Sequence, residues 1–197
     1  VRRRRPLGAA RLLCQGTGLG GVACSPRQRG CRDTFHRAVI VHARAAEGDI
    51  VSFGEVEALY RGALADRSLS ETSRALALRG LGLALLDVGR PEAGVASLIE
   101  ACHLEPGNRW LLAEAMTQAV ANGVSEEALD LVDRAPTNVA NLGRIQFLKA
   151  LAFARSGKSQ EAAAILHEGI EVADLREGEN SITALWKEGC PEEALPE

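Results

Sequence analysis

Three parts of the sequence hold residue types that could do chemistry. Gly16-Thr17-Gly18-Leu19-Gly20-Gly21 fits the G-x-G-x-x-G spacing of dinucleotide-binding loops, in which glycines let backbone amides close on a pyrophosphate at a helix start. That chemistry needs a buried strand before the loop and a helix after it. Arg11 to Gln15 do not form such a strand, and Pro26-Arg27-Gln28-Arg29-Gly30 stands where the helix should run, so the glycines read as linker. Asp174, Glu177 and Glu179 are carboxylates of the kind used for acid–base work or for a cation. Two catalytic carboxyls must face each other across a pocket, and neighbours on one short loop read instead as a charged turn, with Asn180 or Ser181 capping a last helix through Trp186. Cys14, Cys24 and Cys31 show no C-x-x-C pair, and His36 and His42 are not at zinc-ligand spacing. Cys102 and Cys190 fall in helical patterns as small buried hydrophobes. His103 and His167 gain no nucleophile or carboxylate partner from the sequence. No catalytic residue, cofactor site or metal site is assigned, and the chain is not expected to be an enzyme.

The elements around these residues follow from composition. Of the 197 residues 46% are apolar but only 4% aromatic, with Ala, Leu and Gly supplying most of the apolar count, which suits close helix packing. Residues 1–37 carry nine Arg against the single Asp33, whereas the remainder is acidic, so a net charge of −3 hides a basic segment on an acidic body. Residues 1–34 are expected to be a disordered basic tail, because an Arg- and Gly-rich stretch offers too little burial to offset its ordering entropy. The apolar cluster Leu7 to Leu13 is broken by Gly8 and Arg11, which argues against a secretory signal. With an odd cysteine count and no membrane-length apolar run, a cytoplasmic location is expected, with no membrane contact. No nucleic acid is expected on the folded body.

From Phe35 the texture turns helical. Phe53 to Asp66, with Val56, Tyr60 and Ala63 spaced by four and three, predicts one helix of an eroded leading region over 35–74. Gly89, Gly123 and Gly157 then recur at intervals of 34. Five positions after each come Gly94, Ala128 and Ala162, and nine after come Leu98, Val132 and Leu166; twelve after come Ala101, Ala135 and Gly169. Seven positions before come Gly82, Met116 and Ala150, and four before come Leu85, Ala119 and Phe153. Small residues recur where two helices must approach, larger ones where a core needs filling. Each recurrent glycine is predicted to end a helix in the left-handed conformation, and Ser125 and Ser159 to cap the helices that follow. Pro106 stops one helix, and Pro136 shortens another.

These residues resemble the tetratricopeptide-repeat family over roughly residues 50–172. The unit 75–108 matches best, with Leu78, Leu81, Gly82, Leu85, Gly94, Leu98, Ala101 and Pro106 at signature positions; the units 109–142 and 143–172 follow, and Lys149 in the last occupies a position that is apolar in the family. The resemblance implies an all-α superhelix of antiparallel helix pairs, closed by a capping turn, short helix and tail over 173–197. It also implies a concave groove lined by the first helix of each pair. Position by position this gives Leu76, Arg79, Leu83, Leu86 and Asp87, then Trp110, Ala113, Thr117, Val120 and Ala121, then Arg144, Phe147, Leu151, Ala154 and Arg155. The strongest groove candidates are Arg79, Leu83, Trp110, Thr117, Arg144, Phe147, Leu151 and Arg155, since aromatics and Arg dominate binding hot spots.

Val172 to Trp186 is in addition similar to the closing stretch of bacterial proteins of unknown function, in which a β-sandwich region resembling carbohydrate-active enzymes precedes a tetratricopeptide tail. Two functions are therefore expected in competition. One is a non-catalytic scaffold that binds a peptide or partner domain in its groove. The other is the helical tail of a carbohydrate-related enzyme, its partner a catalytic β-rich domain of the same polypeptide.

Overall fold

The computed structural model describes residues 26–47, 53–173 and 181–191, with side chains from Thr34 onward. The tail up to Ser25, its glycine motif, and Asp174, Glu177 and Glu179 lie outside the described residues. The described residues are all-helical, with no strand among them: α1 (Pro26–Glu47), α2 (Phe53–Leu64), α3 (Glu71–Asp87), α4 (Pro91–Leu104), α5 (Arg109–Ala121), α6 (Ser125–Arg134), α7 (Thr137–Ala140), α8 (Gly143–Arg155), α9 (Ser159–Glu168) and α10 (Ile182–Gly189). The tail boundary expected at residue 34 needs correction, because α1 is already helical from Pro26. Proline is well placed at a first helical position, where its missing N–H would have had no partner and its fixed φ suits the helix. The chain forms two compact units, residues 1–97 and 98–197, with the division inside α4.

In the first unit α1, α2 and α3 enclose a core of Ala38, Ala45, Val56, Tyr60, Ala77, Leu81, Ala84 and Leu85, ringed by Phe35, Phe53 and Leu59. The expected spacing holds, since Val56, Tyr60 and Ala63 are fully buried on one face of α2. Tyr60 fits there because Gly80 of α3 has no side chain; a Cβ at that glycine would fall on the tyrosine ring. His42 of α1 lies 3.3 Å from the Tyr60 hydroxyl and 3.6 Å from an Asp87 carboxylate oxygen, so one ring meets polar groups of both neighbouring helices. Arg74 of α3 donates to the carbonyls of Leu64 and Asp66 at 3.0 and 2.9 Å, satisfying acceptors at the end of α2 that have no partner within that helix. Farther along, α3 and the start of α4 touch backbone to side-chain position: a Cβ at Gly94 would stand 2.9 Å from the Gly82 carbonyl and 2.8 Å from Leu86. That contact explains why position 94 is glycine.

In the second unit α5 pairs with α6 and α8 with α9, α8 also packs on α5 and α6, and α10 lies on α8 and α9. Met116, Ala119, Ala128, Ile145, Ala150, Ala162 and Leu185 are at the centre, all at 1% exposure or less. Ser181 caps α10 as expected, its Oγ accepting from the Ala184 N–H at 3.1 Å. Asn108 does the same for α5, accepting from Leu111 at 3.2 Å.

One turn occurs three times with the same wiring. Gly89, Gly123 and Gly157 have φ of 76°, 80° and 78°. The N–H of the residue after each glycine donates back across the helix end, Arg90 to Leu85, Val124 to Ala119 and Lys158 to Phe153, each at 2.9 Å. This is the Schellman arrangement, with its left-handed glycine. It also corrects the two expected serine caps. Ser125 and Ser159 are the first residues of α6 and α9, and the capping positions are Val124 and Lys158, which make no side-chain cap bond. The residue that closes one helix is already the residue that opens the next, so no linker position is left for a serine. Glu126, Glu127 and Glu161 in the first turns supply the negative charge that those helix starts favour. Pro136 shortens α6 as expected, which ends at Arg134 after 10 residues against 14 in α4.

Candidate functional site

The second unit gathers several of the candidate groove residues into one cleft. Arg109 and Trp110 are the first two residues of α5, Gly143 and Arg144 the first two of α8, and both helix starts open on a cavity of about 360 Å³. Ala113, Leu142 and Ile145 give it apolar walls, and Glu171 and Ala173 complete the lining. Trp110 is 54% exposed, an unusual state for the largest apolar side chain. The Arg109 guanidinium carbon stands 4.7 Å from the centre of the Trp110 ring, within cation–π range, so the indole is held between its own neighbour's charge and the cleft. Gly143 is required at the opposite wall, where any Cβ would run into the Glu171 carbonyl. The α8 start has Leu142 as its capping residue and no side-chain cap bond.

The remaining candidates divide. Val120, Ala121 and Arg155 line a second, wider depression of about 540 Å³ with Gly123 to Glu127 and Ser156. There Arg155 is drawn towards α10, its Nε 3.5 Å from a Glu188 oxygen. Thr117 is exposed but turns its hydroxyl back, donating to the Ala113 carbonyl at 2.7 Å. Phe147 and Leu151 were expected as groove contacts, yet they are 3% and 5% exposed and belong to the core of their unit. The physical reason is that α5, α6, α9 and α10 all pack on α8, which leaves these two apolar side chains on covered faces.

In the first unit Arg79 and Leu83 are half-buried on α3. Two further residues of that face are engaged within the unit: Leu86 packs at Gly94, and Asp87 faces His42. Arg79 is close enough to Tyr60 to oppose, by its charge, the rise in phenol pKa that burial causes.

Sequence reasoning missed Arg109, Leu142, Gly143, Ile145, Glu171 and Ala173. Arg109 carried a signal, as a cation directly before an aromatic at a helix start, but it stands one position outside the groove pattern. Glu171 and Ala173 had none, since a loop's placement against two helix starts is a long-range outcome.

Groups with reactive potential are muted. Cys102 borders a separate cavity of about 300 Å³ with His103, Pro106, Leu112, Leu131 and Arg134, but burial, with Glu114 nearby, pushes its thiol up to about 12, which keeps it protonated and unreactive near neutrality. Cys190 is buried as well. His167 packs edge-on to Trp186 with ring centres 5.2 Å apart, and the buried Trp186 Nε1 has no hydrogen-bond partner. Among the described residues no group of three His, Cys, Asp or Glu is placed to hold a metal, and no helix is long and apolar enough to cross a membrane.

Family models, curated proteins and solved structures yield no significant match to this chain.

Proposed function

We propose that this protein is a non-catalytic helical interaction module of tetratricopeptide type, which holds a peptide segment of a protein partner at the cleft between the starts of α5 and α8. The observation that carries the reading is the exposed Trp110, stacked with Arg109 and sharing a cleft with Arg144. Trp and Arg are the side chains that contribute most at protein interfaces, because each offers a large contact area together with a polar handle. Two walls of the cleft are set by helix starts, and Asn108 caps the one at α5, so part of the site is preformed before anything binds. The muted state of Cys102 and the engagement of the described histidines with neighbouring side chains fit a binding role better than a chemical one.

The test is selection of a displayed random peptide library on the folded protein, with the bound sequences re-measured against Trp110→Ala. Truncating a hot-spot aromatic should cost at least about 2 kcal/mol, or some thirtyfold in affinity, with an unchanged far-ultraviolet helical signal. Selected peptides that bind the variant at full strength would place the binding surface elsewhere and sink this reading.

A further inference from the structure

We infer that the cavity at the end of α6 is a binding site for a small neutral molecule with an apolar ring body and one acceptor oxygen. It shares no lining residue with the Trp110 cleft, so it stands apart from the interaction reading above. Helix lengths explain why it exists. α4 runs for 14 residues, whereas α6 stops at Arg134 after 10 because Pro136 follows, which leaves the last turn of α4 without a matching turn of α6. The cavity of about 300 Å³ opens there, between Cys102 and His103 of α4 and Leu131 and Arg134 of α6, with Leu112 of α5 completing its floor. Cys102 and Leu131 are 4% exposed and Leu112 3%, so the walls are apolar side chains withdrawn from solvent. Burial keeps the Cys102 thiol protonated, so that wall adds no charge. Close-packed interiors leave few voids larger than a water molecule, and an apolar cavity of about 150 Å³ already takes a benzene ring. A volume of about 300 Å³ therefore has room for a bicyclic body of about ten non-hydrogen atoms.

The rim supplies the polar recognition. Arg134 Nη1 stands 3.4 Å from His103 Nε2, and since a guanidinium can only donate, the imidazole nitrogen accepts and holds the arginine at the cavity mouth. That uses one N–H group, and the guanidinium has others to offer an acceptor oxygen. Glu105 brings a carboxylate to the same rim, so a charged head of either sign would meet a like charge and lose hydration as well. A carbonyl oxygen incurs neither cost.

A matched series on one bicyclic body provides the probes: tetralin, and the ketone, amine and carboxylic acid made from it at the same ring position. The full chain is titrated with each while backbone amide and methyl signals are followed by nuclear magnetic resonance. The ketone should move the signals of Cys102, Leu112 and Leu131 saturably and bind about fivefold more tightly than tetralin, as one added hydrogen bond predicts. The amine and the acid should both bind more weakly than the ketone. Arg134→Met takes the donors from an exposed side chain and should bring the ketone down to the level of tetralin, whereas Cys102→Leu fills the cavity and should abolish the saturable shifts of both. Tetralin binding as tightly as the ketone, or a ketone indifferent to Arg134→Met, would remove the acceptor oxygen and overturn the inference. So would an amine or acid that binds more tightly than the ketone, or cavity signals unmoved by every compound. Should circular dichroism show that Cys102→Leu does not fold, the Arg134→Met comparison decides alone.

Discussion

The helices that lead the chain and the hairpins that repeat along it hold themselves together by different means. In α1, α2 and α3 one large side chain, Tyr60, fills a notch left by Gly80, and His42 meets polar groups on either side. One and two 34-residue periods on from Gly80 stand Glu114 and Leu148, so that notch is not part of the repeat. The hairpins instead use small residues at fixed intervals, with Gly82 and Gly94 in contact and Ala128 and Ala162 buried at the positions equivalent to Gly94. Periodicity therefore locates the hairpins. It cannot locate the leading lock, because a single aromatic-to-glycine fit has no period.

The largest effect should come from emptying the notch. Tyr60→Ala removes a fully buried ring and should cost about 3–5 kcal/mol in a denaturant titration, in the range known for aromatic truncation in cores. A loss below about 1 kcal/mol would mean that the leading helices contribute little to the stability of the first unit. Next comes overpacking of the hairpin. Gly82→Leu should cost about 1–3 kcal/mol, because Gly82 is buried on α3 and its backbone already lies close to Gly94, so a large side chain there must displace packed neighbours. Wild-type melting in that variant would show that the two helices can shift apart freely.

The smallest effect is electrostatic and exposed. Glu57 accepts from Arg61 at 3.0 Å and from Arg90 at 3.1 Å, and the Arg61 bond first, then the charge of Arg90, hold its carboxyl below the usual carboxylate range despite a partial desolvation that opposes them. A lowered folded pKa means the unfolded chain takes up the proton first as pH falls. The stabilisation is therefore present above the ordinary carboxylate pKa and is lost as pH drops through the lowered folded value. Glu57→Gln should flatten that part of the stability profile and leave neutral pH almost unchanged, since surface pairs contribute little. An unaltered acid limb would show that the Glu57 ion pairs do not persist in solution.

Much of the architecture could be read from residue types alone. The three glycines at intervals of 34 have the left-handed φ expected of them, and the recurring positions around them are buried at Leu98, Val132 and Leu166. Periodicity failed at the edges, where α1 starts at Pro26 inside the presumed tail. It also failed at Ser125 and Ser159, because a serine before a helical run reads as a cap unless one knows that the preceding residue is already shared between two helices. For the cleft, the register brought Trp110, Ala113 and Arg144 to the same place. It overstated Phe147 and Leu151, since a one-dimensional pattern fixes which face of a helix a residue occupies and not whether a third and fourth helix cover that face.

The three glycine turns have a further consequence, which concerns handedness. A Cβ placed on Gly89, Gly123 or Gly157 would meet nothing within 4 Å, so the space for a side chain is there at every turn. What disfavours an L-residue is the sign of φ alone, a local backbone that is the mirror image of the one L-amino acids prefer. At these three points the chain has the geometry natural to a D-residue, and glycine occupies them as the only ribosomal amino acid without a chiral centre. The reversal of direction between paired helices thus draws on an achiral residue set into a chiral polymer.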